Sequence, residues 1–244
     1  MRRIQLVNPS NDASRQPEPD NLLLGVFAKY WEPGKVKTRL AQSIGNQLAA
    51  QVYRQFIDEL AKGLEGSGDQ RCFCISPPGR ESDFEDSLPA GWQVCLQAEG
   101  DLGQRMAEFF RSSFESAATQ VILIGSDSPW INPAIIEQAQ QILVEHQVVL
   151  GPCFDGGYYL IGMSEYLPQI FESVDWSTEH VLRQTIEQLD SHGYSFGQLD
   201  FGNDIDDLAD LKEFVDEFSI SENVSLSQSG TDLMKSVLEQ ASDS

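Results

Sequence analysis

Lys29, Lys35, Lys37 and Arg39 fall within 11 residues, in the stretch Ala28-Lys29-Tyr30-Trp31-Glu32-Pro33-Gly34-Lys35-Val36-Lys37-Thr38-Arg39-Leu40. The whole chain has 16 Lys and Arg against 38 Asp and Glu, a formal charge of −22. Four cations gathered in so acidic a chain predict a site for a phosphorylated ligand. Pro33-Gly34 predicts a type II turn, with Pro presetting the first central angle and Gly34 taking the second. Such a turn can aim backbone N–H groups at an anion. Alternation would then put Lys35, Lys37 and Arg39 on one side of an extended segment.

Carboxylates supply the second chemistry. Asp127 stands in Gly125-Ser126-Asp127-Ser128-Pro129, just past the apolar run Val121-Ile122-Leu123-Ile124. A carboxylate at a strand's carboxyl end suits a hard cation such as Mg²⁺. The same residue would serve as a turn or helix cap ahead of Asn132-Pro133. Asn203-Asp204-Ile205-Asp206-Asp207 closes the last strand, and Asp207 is placed to cap the helix that follows. If Asp204 and Asp206 meet Asp127, the carboxylates repel unless a cation lies between them. Asp155-Gly156-Gly157 permits either close approach to a ligand or a tight hairpin. Gln97 to Met106 joins a strand to a helix through two glycines, and Asp175-Trp176-Ser177-Thr178 precedes another helix, where Ser177 or Thr178 could act as its cap.

Strand and helix patterns alternate around these motifs. Strands are predicted over 22–28, 71–76, 92–97, 121–125, 148–151, 157–162 and 195–199. Helices are predicted over 46–63, 102–117, 133–145, 177–189 and 207–218. In the first helix Leu48, Val52, Phe56, Ile57 and Leu60 form a stripe at three-to-four spacing. Alternating elements with buried strands predict an α/β fold with a mixed, mainly parallel sheet between helices. Ligands of such sheets bind at the carboxyl ends of strands, near a switch in strand order.

Length fits one domain with tails. Residues 1–20 are polar and expected to be disordered, 21–218 form the domain, and 219–244 are a polar tail in which 231–240 could form one short helix. No apolar run reaches the roughly 18 residues of a membrane span, and no signal region follows the basic start, so a soluble, cytoplasmic protein is expected. The acidic balance argues against nucleic acid as partner. Cys72, Cys74, Cys95 and Cys153 lie in strand-like segments and read as small buried core residues, with Cys72 and Cys74 on one face of their strand. His146, His180 and His192 show no metal-ligand spacing.

Taken in order, Phe27-Ala28-Lys29 through Leu40, Gly100-Asp101-Leu102-Gly103-Gln104-Arg105-Met106, Gly125-Ser126-Asp127-Ser128-Pro129, Asp155-Gly156-Gly157-Tyr158-Tyr159-Leu160-Ile161-Gly162, Trp176-Ser177-Thr178 and Asp204-Ile205-Asp206 resemble the DUF2064 family. That family is a glycosyltransferase-like branch of the nucleotide-diphospho-sugar transferase superfamily, with the glycosyltransferase-A fold. The likeness spans about 22–218. It implies a nucleotide-binding domain and a divalent cation, Mg²⁺ or Mn²⁺, with Asp127 in place of the superfamily's acidic metal motif. Ser126-Asp127-Ser128 holds one acid where many such enzymes have Asp-x-Asp, so a second ligand must come from elsewhere, with Asp206 the candidate.

The resemblance implies a metal-dependent transfer from a nucleotide-sugar to a small-molecule acceptor. Lys35, Lys37 and Arg39 would hold phosphates and stabilise the leaving diphosphate. Lys29, Gly34, Asp101 and Gly103 would add nucleotide contacts. Asp155 would orient the acceptor or act as base, with Gly156, Gly157, Trp176, Ser177 and Thr178 on the acceptor side. Lys37-Thr38-Arg39-Leu40 also looks like the loop of 2-phospholactate guanylyltransferases, and Asp155-Gly156-Gly157 is similar to a motif of molybdenum cofactor guanylyltransferases. Nucleotidyl transfer from a nucleoside triphosphate, with pyrophosphate release, is therefore the alternative. A non-catalytic nucleotide-binding module is a third.

Overall fold

Val121-Ile122-Leu123-Ile124 lies in the middle strand of a seven-stranded sheet, buried on both faces. The computed structural model describes residues 21–218 and 226–242. The stretch 1–20, expected to be disordered, lies outside the described residues. The strands are β1 (Leu22–Lys29), β2 (Gln70–Ser76), β3 (Trp92–Leu96), β4 (Gln120–Gly125), β5 (Val148–Pro152), β6 (Tyr158–Met163) and β7 (Phe196–Gln198). Their order is β3-β2-β1-β4-β6-β5-β7, and only β6 runs against its neighbours.

Period-2 alternation sorts the side chains to two faces. Leu22, Leu24 and Val26 of β1 join Ile122 and Ile124 of β4 on one face, while Leu23 joins Val121 and Leu123 on the other. The first face is covered by α1 (Thr38–Ile44), α2 (Asn46–Gly63), α5 (Pro133–Glu145) and α7 (Leu208–Phe218). The second is covered by α4 (Leu102–Glu115), the 3-10 turn Pro168–Phe171 and α6 (Val181–His192). A short α3 (Glu81–Glu85) lies between β2 and β3. No described helix is long and apolar enough to cross a membrane.

Helices α1 and α3 were not expected from the sequence, and two further elements differ from that reading. The helix expected from Ser177 begins at Val181, because Ser177 has φ 65°, a left-handed backbone that a helix cannot continue. The short helix expected at 231–240 in the polar tail is longer, α8 (Gln228–Ser242), and it docks, with Met234 and Val237 in the main core. Glu59 of α2 anchors its start by accepting the Ser227 N–H at 2.8 Å and the Ser227 hydroxyl. Met234 and Val237 are at helical spacing, but Ser-rich surroundings dilute the stripe in the sequence.

Met234 is fully buried, so Met234→Ala should cost about 2–5 kcal/mol in urea unfolding. A loss below about 0.5 kcal/mol would show that α8 is not part of the cooperative core.

Candidate active site

β1 feeds β2 and β3 on one side, and the chain then returns to place β4 on the other side of β1. The carboxyl ends of β1 and β4 therefore meet at the switch in strand order, where open parallel sheets bind ligands. A cavity of about 710 Å³ opens there, and its wall includes Lys29, Lys35, Lys37, Arg39, Arg105, Asp127 and Asp206.

The first loop forms the cationic wall. Lys35 N–H donates to Glu32 O at 3.0 Å and Gly34 has φ 81°, the geometry of the expected turn. The extended segment expected beyond it is absent. Lys37 takes a left-handed conformation (φ 45°, ψ 49°), and α1 starts at Thr38. This bend separates the three cations that alternation would have aligned: Lys35 and Arg39 face solvent, while the Lys37 side chain turns inward and is only 3% exposed.

The Lys37 ammonium lies between two carboxylates, 2.6 Å from Asp127 Oδ1 and 3.1 Å from Asp206 Oδ1. Arg39 Nη1 contacts the other Asp206 oxygen at 3.3 Å. Phe56 of α2 supports the ammonium, its ring centroid 5.9 Å away. Burial opposes the lysine charge, but Asp127, then Asp206, outweigh it and hold the pKa above the ordinary lysine range.

Backbone contacts keep the two carboxylates together. Ile205 N–H donates to Asp127 O at 3.1 Å, which ties the 204–206 segment to the end of β4. Ser128 Oγ donates to Asp204 Oδ1 beside it. Asp207 caps α7 through the N–H groups of Ala209 and Asp210. Tyr53 of α2 joins the strand ends: its hydroxyl accepts the Lys29 N–H at 2.9 Å and pairs with Ser126 Oγ at 2.7 Å.

Oxygen donors on a solvent-open wall fit a hard cation. Asp127 and Asp206 are each more than two-fifths exposed, both facing this cavity, so they are the residues that would hold Mg²⁺ or Mn²⁺. Such a cation would share these carboxylates with the Lys37 ammonium already between them.

On the stretch from Gln97 to Met106 the sequence reading named Asp101 and Gly103 and missed Gln97 and Arg105. Gln97 donates to Ala28 O at 3.1 Å and Cys74 O at 2.9 Å, bridging the ends of β1 and β2. Its Oε1 accepts Arg105 Nη1 at 2.7 Å, which holds a fifth cation at the cavity. Arg105 lies in the quoted Gly100–Met106 motif, so its charge four residues into a helix start was the available signal. Lys29, Lys35 and Arg105 make no ion pair among the described residues.

Other expected site residues are placed differently. Asp101 lies outside the cavity wall and caps α4 in a reciprocal box with Gln104. Gly103 is a packing position, since a Cβ there would come within 2.2 Å of Trp176 Nε1. Asp155 accepts the Gly157 N–H at 2.9 Å in the β5–β6 hairpin turn, so the hairpin alternative describes this motif. Gly156 (φ 89°) lies against the Glu179 carbonyl and accepts the Leu182 N–H at 2.8 Å, pinning the 176–180 segment. Of the acceptor-side group, Ser177 lines the cavity, whereas Thr178 Oγ1 bonds Asp175 O at 2.7 Å.

Burial, partly offset by Ser128 and reinforced by Asp127, pushes the Asp204 carboxyl up to about 6. Between roughly pH 3.9 and this value the folded protein keeps a proton that the unfolded chain has released. Stability from this group is present below that window and lost as pH rises through about 6. With chelator present, Asp204→Asn should therefore gain stability over the parent as pH rises from 4 to 7, measured by urea unfolding. An equal difference at both pH values would contradict the assignment.

The likeness to DUF2064 is shown by a family model, described as an uncharacterized protein conserved in bacteria, that matches residues 59–178. No curated protein matches. A crystal structure of a "putative nucleotide-diphospho-sugar transferase" from Desulfovibrio desulfuricans G20 superposes with TM-score 0.82 at 29% identity, covering 91% of this chain and 99% of that one. A cytidylyltransferase from Leptospira borgpetersenii (TM-score 0.54, 12% identity, 91% and 95% covered) shares the fold. So does a nucleotidyl transferase from Methanothermobacter (TM-score 0.55, 13% identity, 82% and 98% covered). The fold is that of the nucleotide-diphospho-sugar transferases.

Proposed function

We propose that this chain is a nucleotide-dependent transferase that moves a glycosyl group from a nucleotide-sugar to a small-molecule acceptor. The observation that carries the reading is the cavity at the β1/β4 switch, with Lys29, Lys35 and Arg105 around it free of carboxylate partners among the described residues. In a protein of charge −22 these cations favour an anion of several charges. The likeness to the Desulfovibrio transferase supports a sugar-nucleotide donor.

In this reading Lys35 and Arg105 grip the diphosphate from opposite walls, and Arg105 is pre-aimed by Gln97. Charge developing on the leaving diphosphate is met by these fixed cations, which need no reorganisation during reaction. Lys37 stays charged throughout because Asp127 and Asp206 hold it so. A divalent ion held by Asp127 and Asp206 would add Lewis-acid stabilisation of phosphate charge. Ser177, which lines the cavity, would stand on the acceptor side.

Nucleotidyl transfer is the second reading. Three cations with no carboxylate partner among the described residues, besides the paired Lys37 and Arg39, match a triphosphate as well as a diphosphate. Nucleoside diphosphate release from sugar donors supports the first reading, and pyrophosphate release from triphosphates with phosphorylated acceptors supports the second.

Each charge-assisted bond is worth roughly 1.5–3 kcal/mol. Lys35→Ala and Arg105→Ala should each weaken nucleotide binding roughly ten- to hundredfold in titration calorimetry. Neither residue is in an ion pair, so thermal stability without ligand should stay near the parent value. Unchanged affinity in both folded variants would remove the phosphate role of this cavity.

A further inference from the structure

Three of the four cysteines come together at the edge of the sheet, outside the cavity described above. Cys72 and Cys74 project from one face of β2, with Sγ atoms 3.9 Å apart. Cys95 is the register partner of Cys74 on the edge strand β3. All three sulfurs lie within 4.8 Å of one another and all are free thiols. Cys72 and Cys74 are buried and Cys95 is half-buried, so the group has one side toward solvent. Met106 and Phe109 of α4 belong to the same apolar cluster. The sequence places Cys72 and Cys74 on one strand face, but Cys95 is far along the chain and joins them only through strand pairing.

The geometry suits a three-coordinate ion. A metal in a trigonal plane about 2.3 Å from each sulfur needs sulfurs about 4.0 Å apart. Structural Zn²⁺ closes its shell with four ligands, and no fourth His, Cys, Asp or Glu joins this group among the described residues. A soft sulfur-only set that stops at three selects Cu(I). We propose that Cys72, Cys74 and Cys95 form a three-sulfur site for a thiophilic ion of the Cu(I) class.

Each S–H gives up its proton to solvent as its sulfur–metal bond forms, and the ion keeps its oxidation state. The site does not depend on the proposed transferase activity.

The test is an anaerobic titration of the reduced full chain with Cu(I) against a chromogenic chelator, with Zn²⁺ in a parallel arm. One Cu(I) per chain should be withdrawn from the chelator, and X-ray absorption should show three sulfurs at about 2.3 Å. Cys95→Ser and Cys95→Ala should each lower the affinity at least tenfold. Cys153→Ser should bind as the parent does, because Cys153 lies in the other core cluster. Failure to compete with the chelator overturns the proposal. So does parent-like binding by a folded Cys95 variant, tighter retention of Zn²⁺ than of Cu(I), or loss of binding in Cys153→Ser. If neither Cys95 variant folds, the sulfur count in the parent decides, and fewer than three sulfurs overturns the site.

Discussion

Lys37 carries its charge into a nearly water-free position, and the ends of three separate segments are arranged around it. Asp127 comes from β4, Asp206 from the approach to α7, and Phe56 from α2. An ammonium buried without compensation costs several kcal/mol, so the carboxylates and the lysine require one another. The left-handed backbone at Lys37 is the local cost of turning that side chain inward. The bend has a second effect. It leaves Lys35 and Arg39 on the cavity side of the loop, facing solvent and available to a ligand.

This arrangement resolves a conflict in the composition. A chain of net charge −22 repels phosphates at long range, yet the cavity at the strand switch is rimmed by five cations. Among the described residues, carboxylates there neutralise only Lys37 and Arg39. Of the remaining cations, Arg105 is held by a neutral partner, Gln97. Positioning a cation through a neutral amide keeps its charge uncompensated until a ligand arrives.

Much of this was legible in the sequence where local physics decides structure. Val121 to Ile124 read as a buried strand, the Pro33-Gly34 pair read as a turn, and the Leu48–Leu60 stripe read as a helix face. The positions of Asp127 and Asp206 followed from strand ends. The rest depended on contacts distant in sequence. Nothing near Lys37 announces that it turns inward, because its partners lie about 90 and 170 residues away along the chain. Asp101 and Gly103 carried a motif likeness, but a capping box and the Trp176 contact account for them. The Cys95 grouping and the docking of α8 are likewise products of strand pairing and tertiary packing.

The central claim is that the β1/β4 cavity receives the phosphates of a nucleotide. A crystal structure of the protein with a non-hydrolysable nucleotide-sugar and Mn²⁺ tests it most directly. The account expects the diphosphate between Lys35 and Arg105, and the anomalous signal of manganese beside Asp127 and Asp206. A nucleotide seated instead in the hollow beside Trp130, Phe154 and Phe201, with the cationic cavity empty, would contradict it.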